Sequence, residues 1–406
     1  MHGAAGEANQ SPNVAEALQM IWRERRISRA EIARRTGLSR STVSAIVSDL
    51  LPTGLVAEVG AGPSRGGRRP ILLEFQDDAY RLLGIDLGAT HVSVALTDLR
   101  GAVLAWEQHN HPVREDPPGA LALMGALADK CLSRAGKGAR RLVGIGVAVP
   151  SPVDPRQPEM LSEVVMPNWR GQGVAEPLRA RFGVPVVVDN DANLGALAEL
   201  WWGAGRGFED SAYIKVATGV GSGHIIGGRI YRGASGTAGE IGHTAIDSQG
   251  PLCLCGLRGC LVTLVGTPAL IARAGVLLKK HPRSLVAAKR KLTITALEDA
   301  ALAGDPLALQ VFREAADNLG IAVAGMLNLL NPAVVSIGGS LARLGDLLVE
   351  PLRQSVRSRT LVSSVMAARI VASELGARDV ATGAATLVLQ TALADLRFFA
   401  SAASAR

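Results

Sequence analysis

Long hydrophobic runs are absent from this chain of 406 residues. No stretch of about 18 uncharged apolar residues occurs, which argues against a membrane-spanning helix and against a membrane partner. The opening residues, MHGAAGEANQSPN, lack the charged-then-apolar order of a secretory leader, so the cytoplasm is the expected compartment. Cysteine is scarce as well, at four residues, and in a reducing compartment clustered thiols are better explained by metal than by disulfides. Against these absences stands 48% hydrophobic content, enough for a sizeable core and for two or three domains. The chain reads as a globular protein.

Acids are few where bases gather. The formal net charge is +7, which favours an anionic partner and says nothing of the fold. Between positions 23 and 40, seven arginines (23, 25, 26, 29, 34, 35 and 40) stand against Glu24 and Glu31, and Arg65, Arg68 and Arg69 follow. A solvated basic face is the plainer explanation, and a nucleic-acid face requires a matching fold. The spacing supplies one. Val14, Leu18, Ile21 and Trp22 recur at helical intervals and predict a first helix ending near Arg25 or Arg26. Ser28, with Glu31 three residues on, predicts a capping box for a second helix that buries Ile32 and Ala33. Thr36-Gly37-Leu38 reads as a tight turn, and Ser39 or Ser41 caps a third helix with Val43, Ile46, Val47 and Leu50 on one face. Its other face carries Arg40, Ser41, Thr42, Ser44 and Ser48, without the glutamate–lysine pairs of a plain helical bundle. This is the layout of a helix-turn-helix that sets Ser39, Arg40, Ser41, Thr42 and Ser44 against double-stranded DNA. Leu55 to Val59 and Ile71 to Phe75 read as paired strands. The loop between them, GAGPSRGGRRP, is either a basic wing that offers Arg65, Arg68 and Arg69 to DNA or a flexible linker.

From Tyr80 onward strands and helices alternate. Apolar strands are predicted at Leu82 to Leu87, Val92 to Leu96, Arg141 to Val149 and Val184 to Val188, each with polar residues near one end. Asp86, Asp154, Asp189 and Asp191 gather there, and in α/β folds strand ends are where ligands bind. Three glycine loops are interleaved with these ends, around Gly88, at Thr218-Gly219-Val220-Gly221-Ser222-Gly223, and at Gly338-Gly339 after the strand Val334 to Ile337. Glycine lets backbone N–H groups approach phosphate oxygens, although any hairpin needs glycine for its turn.

Gly239 to Cys260, GEIGHTAIDSQGPLCLCGLRGC, joins His243 to Cys253, Cys255 and Cys260 directly after Glu240. One imidazole and three thiolates fit a closed tetrahedral structural site for Zn2+. Buried core cysteines are the alternative, but three of the four fall within eight positions among glycines, with no apolar period to bury them. Cys131 sits in an apolar helical pattern and reads as an ordinary packed thiol.

Taken in order, the motifs DLGAT, VDNDAN, ATGVGSG, GASGTAGEIGH, CLCGLRGC and VVSIGGS make residues 80–395 resemble the ROK family of repressors, open reading frames and sugar kinases, within the actin-like ATPase superfamily. The preceding winged segment makes the chain similar to the family's transcriptional regulators. The fold so implied is α/β: a winged helix-turn-helix over residues 1–75, then a two-lobed actin-like ATPase domain over 76–406. Lobe one would take about 80–190 plus a C-terminal helix at about 377–396, and lobe two about 191–376 with the zinc site. The resemblance implies Asp191 as the general base of a sugar kinase, Asn190, Asp191, Glu240 and His243 as sugar contacts, and Asp86, Gly88, Thr90, Thr218, Gly219, Gly221, Gly338 and Gly339 as nucleotide contacts. His243 would serve both zinc and sugar, one ring nitrogen for each.

The chain also departs from the family's pattern. Ala89 and His91 stand where kinases usually carry glycine and lysine, Ser151 and Ala217 replace glycines, and Val262 replaces a sugar-binding glutamate. A side chain at Ala89 would obstruct phosphate or demand a disfavoured backbone angle. These departures weaken the case for ATP and Mg2+. The expected protein is a DNA-binding regulator, a repressor rather than an enzyme, that senses a sugar or sugar derivative. It would act as a homodimer or homotetramer on an inverted-repeat operator. The alternative is an ATP-dependent sugar kinase working through Asp191.

Overall fold

The computed structural model describes residues 12–62, 69–134, 141–154, 156–158, 161–162, 165–360 and 368–399. The amino-terminal part contains α1 (Pro12–Glu24), β1 (Arg26–Ser28), α2 (Arg29–Thr36), α3 (Arg40–Leu50), β2 (Val56–Ala61) and β3 (Ile71–Phe75). The strands form one antiparallel sheet in the order β1-β3-β2. β1 lies outside the sequence expectation, because three residues are too short to show an alternating period. Ser28 caps α2 by accepting from the Glu31 N–H at 3.2 Å. The reciprocal half of the predicted capping box is not made: the Glu31 carboxylate turns to Arg34 and Arg35 instead, two fixed charges that outcompete a backbone N–H. Arg65 and Arg68 lie outside the described residues.

Lobe one contains β4 (Arg81–Leu87), β5 (His91–Thr97), β6 (Val103–Asn110), α4 (Pro117–Arg134), β7 (Leu142–Val149), α5 (Ala175–Phe182) and β8 (Val186–Asn190). Its five strands run β6-β5-β4-β7-β8, antiparallel at the β4–β5 hairpin and parallel from β4 to β8. Cys131 is buried in α4, as its apolar surroundings predict. Next come α6 (Asp191–Trp202), β9 (Ser211–Val216), β10 (Val220–Ile226), β11 (Arg229–Tyr231), α7 (Val262–Val265), α8 (Thr267–Leu277), α9 (Ile294–Leu302), α10 (Pro306–Leu330), β12 (Val334–Gly339), α11 (Asp346–Arg357), β13 (Arg369–Ala372) and α12 (Asp379–Ala394). The second sheet runs β11-β10-β9-β12-β13 and packs on α8, α10 and α11 through a large apolar core.

Helix α12 returns to the first sheet, where glycine decides how close it comes. A Cβ on Gly84 of β4 would lie 1.8 Å from the Ala381 carbonyl oxygen, and one on Gly146 of β7 would lie 1.9 Å from that of Ala384. The winged module does not keep its core to itself. Leu18, Ile21, Leu50 and Phe75 share one apolar cluster with Tyr80, Leu82 and Leu99 of lobe one and Val388, Leu389 and Phe399 at the carboxyl end. Among the described residues no helix is long and apolar enough to cross a membrane.

Gly146→Val should push α12 off the sheet and cost about 3 kcal/mol or more by overpacking. Thermal denaturation should show a melting point several degrees lower, and an unchanged melting point would contradict the close approach.

Candidate functional site

The polar ends of β4 and β8 meet the second sheet at a cleft between the lobes. Asn190 caps α6, its Oδ1 accepting from the N–H groups of Ala192 and Asn193 at 2.9 and 3.1 Å while its Nδ2 donates to the Ser151 carbonyl. The cap of α6 is thus Asn190, and the Asp191 carboxylate is left for other partners. It finds one in Lys215 of β9, whose Nζ donates to Asp191 Oδ2 at 2.9 Å and stands 3.8 Å from Asp86 Oδ1. Burial lowers the Lys215 pKa, yet the Asp191 and Asp86 carboxylates outweigh it and raise it above the usual lysine value. Burial likewise opposes ionisation of Asp86, and Lys215 with His91 overcomes it.

The first glycine loop is occupied by its own chain. His91 Nε2 lies 3.1 Å from Asp86 Oδ2, and the ring covers Gly88, where a Cβ would come within 2.3 Å of it. Ala89 does not adopt the disfavoured angle; among the described residues positive φ outside glycine occurs only at Arg25 and Asn331. Thr90 is exposed, and Thr218 and Gly219 form the β9–β10 turn. Gly221 and Gly338 flank Lys215 in the sheet, and Gly339 has φ 77° with Val216 O 2.4 Å from a Cβ position. Packing therefore explains part of the glycine pattern.

Glu240 and His243 sit on a loop fastened to β10. Ser222 N donates to the Gly239 carbonyl at 2.8 Å, and a Cβ at Gly239 would lie 1.9 Å from Ser222 O. His243 Nδ1 is 3.5 Å from Cys253 Sγ, and Cys255 Sγ is 3.5 Å from Cys260 Sγ. The ligand atoms of these four residues all lie within 4.8 Å of one another. Zn–S bonds of about 2.3 Å imply tetrahedral edges of about 3.8 Å, so the donor set fits a zinc-sized ion. The opposite ring nitrogen, Nε2, lies 4.0 Å from Glu240 Oε2. Burial raises the Glu240 carboxyl, with His243 opposing and Asp191 adding to the shift; its side chain is 42% exposed, so solvent screens these couplings. Val262 opens α7 and packs against the second lobe's core, offering no acceptor.

In α3 the caps fall as expected. Ser39 Oγ accepts from the Thr42 N–H at 3.0 Å, and Val43, Ile46, Val47 and Leu50 are buried. Ser39, Arg40, Ser41, Thr42 and Ser44 are exposed together, and Arg40 has no ion pair among the described residues. Arg69 is exposed at the foot of the wing.

Residues 82–391 match the model of the ROK family, and 16–56 match a model described as winged helix-turn-helix DNA-binding. The chain belongs to the ROK family. It is 34% identical over 353 residues to the xylose repressor of Caldicellulosiruptor bescii, covering 85% of this chain and 87% of that protein. A solved ROK family transcriptional regulator, described as a homologue of the E. coli MLC protein, superposes with TM-score 0.80 at 25% identity over 96% of this chain and 98% of that one. A ROK family glucokinase from Streptomyces griseus, in complex with glucose and AMPPNP, gives TM-score 0.68 at 28% identity over 76% and 98%. Within this ROK protein, Lys215 and Arg232, which pairs with buried Asp189, are the cleft groups that the motifs do not announce, while His91, a departure from the kinase pattern, turns out to hold Asp86. A lysine inside the apolar strand SAYIKV was the available signal.

If the four-ligand cluster holds zinc, Cys253→Ser should take metal content from about one ion per chain to near zero. Far-UV circular dichroism should change little, because the block contributes only a short 3-10 turn and α7. Full zinc retention by elemental analysis would refute the ligand set.

Proposed function

We infer that this ROK protein is a transcriptional regulator, a repressor, whose winged helix-turn-helix binds a double-stranded operator and responds to a carbohydrate held between the lobes. Helix α6 carries the reading. Its first residue, Asp191, lies in the cleft; its last two, Trp201 and Trp202, pack against Trp22 of the DNA-binding module at ring separations of 5.1 and 6.3 Å. Twelve residues at about 1.5 Å each make a rod of about 18 Å between ligand and reading head. Trp22 is tied down further: its Nε1 donates to Leu99 O at 3.0 Å, and the Arg100 guanidinium lies 4.5 Å over its ring.

Asn190, Asp191, Glu240 and His243 are the sugar contacts in this reading. Zn2+ held by His243, Cys253, Cys255 and Cys260 orients the imidazole, leaving Nε2 for a sugar oxygen or for Glu240. Ser39, Arg40, Ser41, Thr42, Ser44, Arg65, Arg68 and Arg69 meet DNA in this reading. Because one reading helix contacts few bases, the protein works in the cytoplasm as a homodimer or homotetramer on an inverted repeat, half-sites whole helical turns apart. Asp86, Gly88, Thr90, Thr218, Gly219, Gly221, Gly338 and Gly339 are the remains of a nucleotide cradle. A second reading, a sugar kinase with Asp191 as general base, is favoured by the retention of Asp86 and Asp191 in one cleft. An ADP-release assay over a sugar panel should give no turnover that depends on Asp191; turnover abolished by Asp191→Ala would establish the kinase.

Gel-shift with the chain's own promoter region, over a sugar panel headed by D-xylose and D-glucose, tests the regulator. Specific binding should occur and should shift roughly 5- to 150-fold with one sugar, the usual range of coupling between sites. No specific binding to that DNA defeats the proposal. Arg40→Ala with Ser41→Ala should remove specific binding while weak salt-sensitive binding persists. Trp201→Leu should keep sugar and DNA binding and flatten the sugar response towards onefold; an undiminished response would remove α6 as the connection.

A further inference from the structure

The cleft contains a cation already, and it belongs to the chain. The Lys215 side chain is 11% exposed, and its Nζ lies between Asp191 Oδ2, at 2.9 Å, and Asp86 Oδ1, at 3.8 Å. The two carboxylates come from different parts of the fold: Asp86 from β4 of the first sheet and Asp191 from the start of α6. Lys215 reaches them from the second sheet, so the three groups cross the boundary between the lobes. Asp86 Oδ2 is taken by His91, and Asp86 Oδ1 is buried without a hydrogen-bond partner, facing the ammonium alone. Gly221 and Gly338 stand beside Lys215 in the sheet register, so neither neighbouring strand places a side chain between it and the cleft.

A divalent metal carrying a nucleotide, which likeness to sugar kinases implies, does not fit this arrangement. Its place near Asp86 and Asp191 would lie against a buried ammonium, and like charges in a poorly solvated site repel strongly. A lysine is also a point charge with three donors and no acceptor, so it cannot ligate the ion while protonated. We propose that Lys215 is a resident cation that joins Asp86 to Asp191, excludes a divalent metal from the cleft, and positions Asp191 as a hydrogen-bond acceptor for a sugar hydroxyl. One carboxylate oxygen serves the lysine and the other is left for the ligand. The positioning of Asp191 rests on the carbohydrate-sensing reading, whereas metal exclusion stands or falls without sugar or DNA.

Mn2+ serves as a paramagnetic probe in place of Mg2+, and free Mn2+ is followed by electron paramagnetic resonance in titrations of the full chain. Zinc is supplied beforehand to fill the thiolate cluster. Wild type should leave the free-Mn2+ signal unchanged through the millimolar range. Lys215→Met, nearly the same shape without the charge, should bind one Mn2+ at least tenfold more tightly than wild type, and Asp86→Asn in that background should abolish the gain. Lys215→Arg keeps the charge and should exclude Mn2+ as wild type does. Wild-type binding of one Mn2+ that Asp86→Asn removes would overturn the proposal. A folded Lys215→Met protein that gains no site would overturn it equally. If Lys215→Met fails to fold, the wild-type and Lys215→Arg titrations decide. A lost response to sugar in gel-shift with metal exclusion intact would count against carbohydrate sensing, and not against the lysine.

Discussion

The backbone of α12 rests on the first sheet with no side chain between them at Gly84 and Gly146, and the rest of the molecule is arranged around that contact. The same helix meets α6 at Gly383, where a Cβ would fall 1.8 Å from the Leu194 carbonyl oxygen. Beyond the sheet, its last turns pass into the apolar cluster of the winged module. The sheet and α6 are therefore packed against one rod at backbone separations that permit no slack, and the winged module joins the same rod through its apolar cluster. Close-packed interiors respond to strain by switching arrangement rather than by yielding gradually.

In the cleft, residues proposed to meet a ligand also hold the fold together. Asn190 is committed to the α6 cap and to Ser151, and that commitment aims Asp191 at Lys215. The loop with Glu240 and His243 is held to β10 by glycines that fit against carbonyl oxygens, and the cysteine cluster closes it from the other side. A ligand touching both walls would touch α6 and β10 together. These elements pack on one another, where Gly223 allows the Ala192 carbonyl to approach its strand.

Much of this was legible in the chain itself. The third helix declares its cap, its buried face and its hydroxyl-rich exposed face because a single amphipathic helix is a local object. The cluster of His243 with three cysteines is legible because three thiols and an imidazole at short spacing have few other uses. β1, with three residues, carries no periodicity, and the strands β6, β11 and β13 lie at sheet edges where pattern is weak. The pairings of Lys215 with Asp191 and of Trp22 with Trp201 join residues far apart in sequence, and only the tertiary fold sets them. The glycine loops also have a packing reason that the sequence does not show: a Cβ on Gly338 would meet the Tyr213 ring at 2.2 Å.

Of the seven arginines that make the amino-terminal segment look so basic, Arg26, Arg29, Arg34 and Arg35 are each held by a glutamate of the same module. A guanidinium already paired displaces few ions from the atmosphere around a duplex, and it is that displacement which drives sequence-indifferent attachment. The arginines left to meet phosphate are therefore fewer than the sequence suggests, with Arg40 of α3 and Arg69 exposed among the described residues. If the chain works as the proposed dimer, recognition would fall to the hydroxyl-bearing face of α3 and to the pairing of two such faces, and a modest change in their spacing would suffice to empty a site.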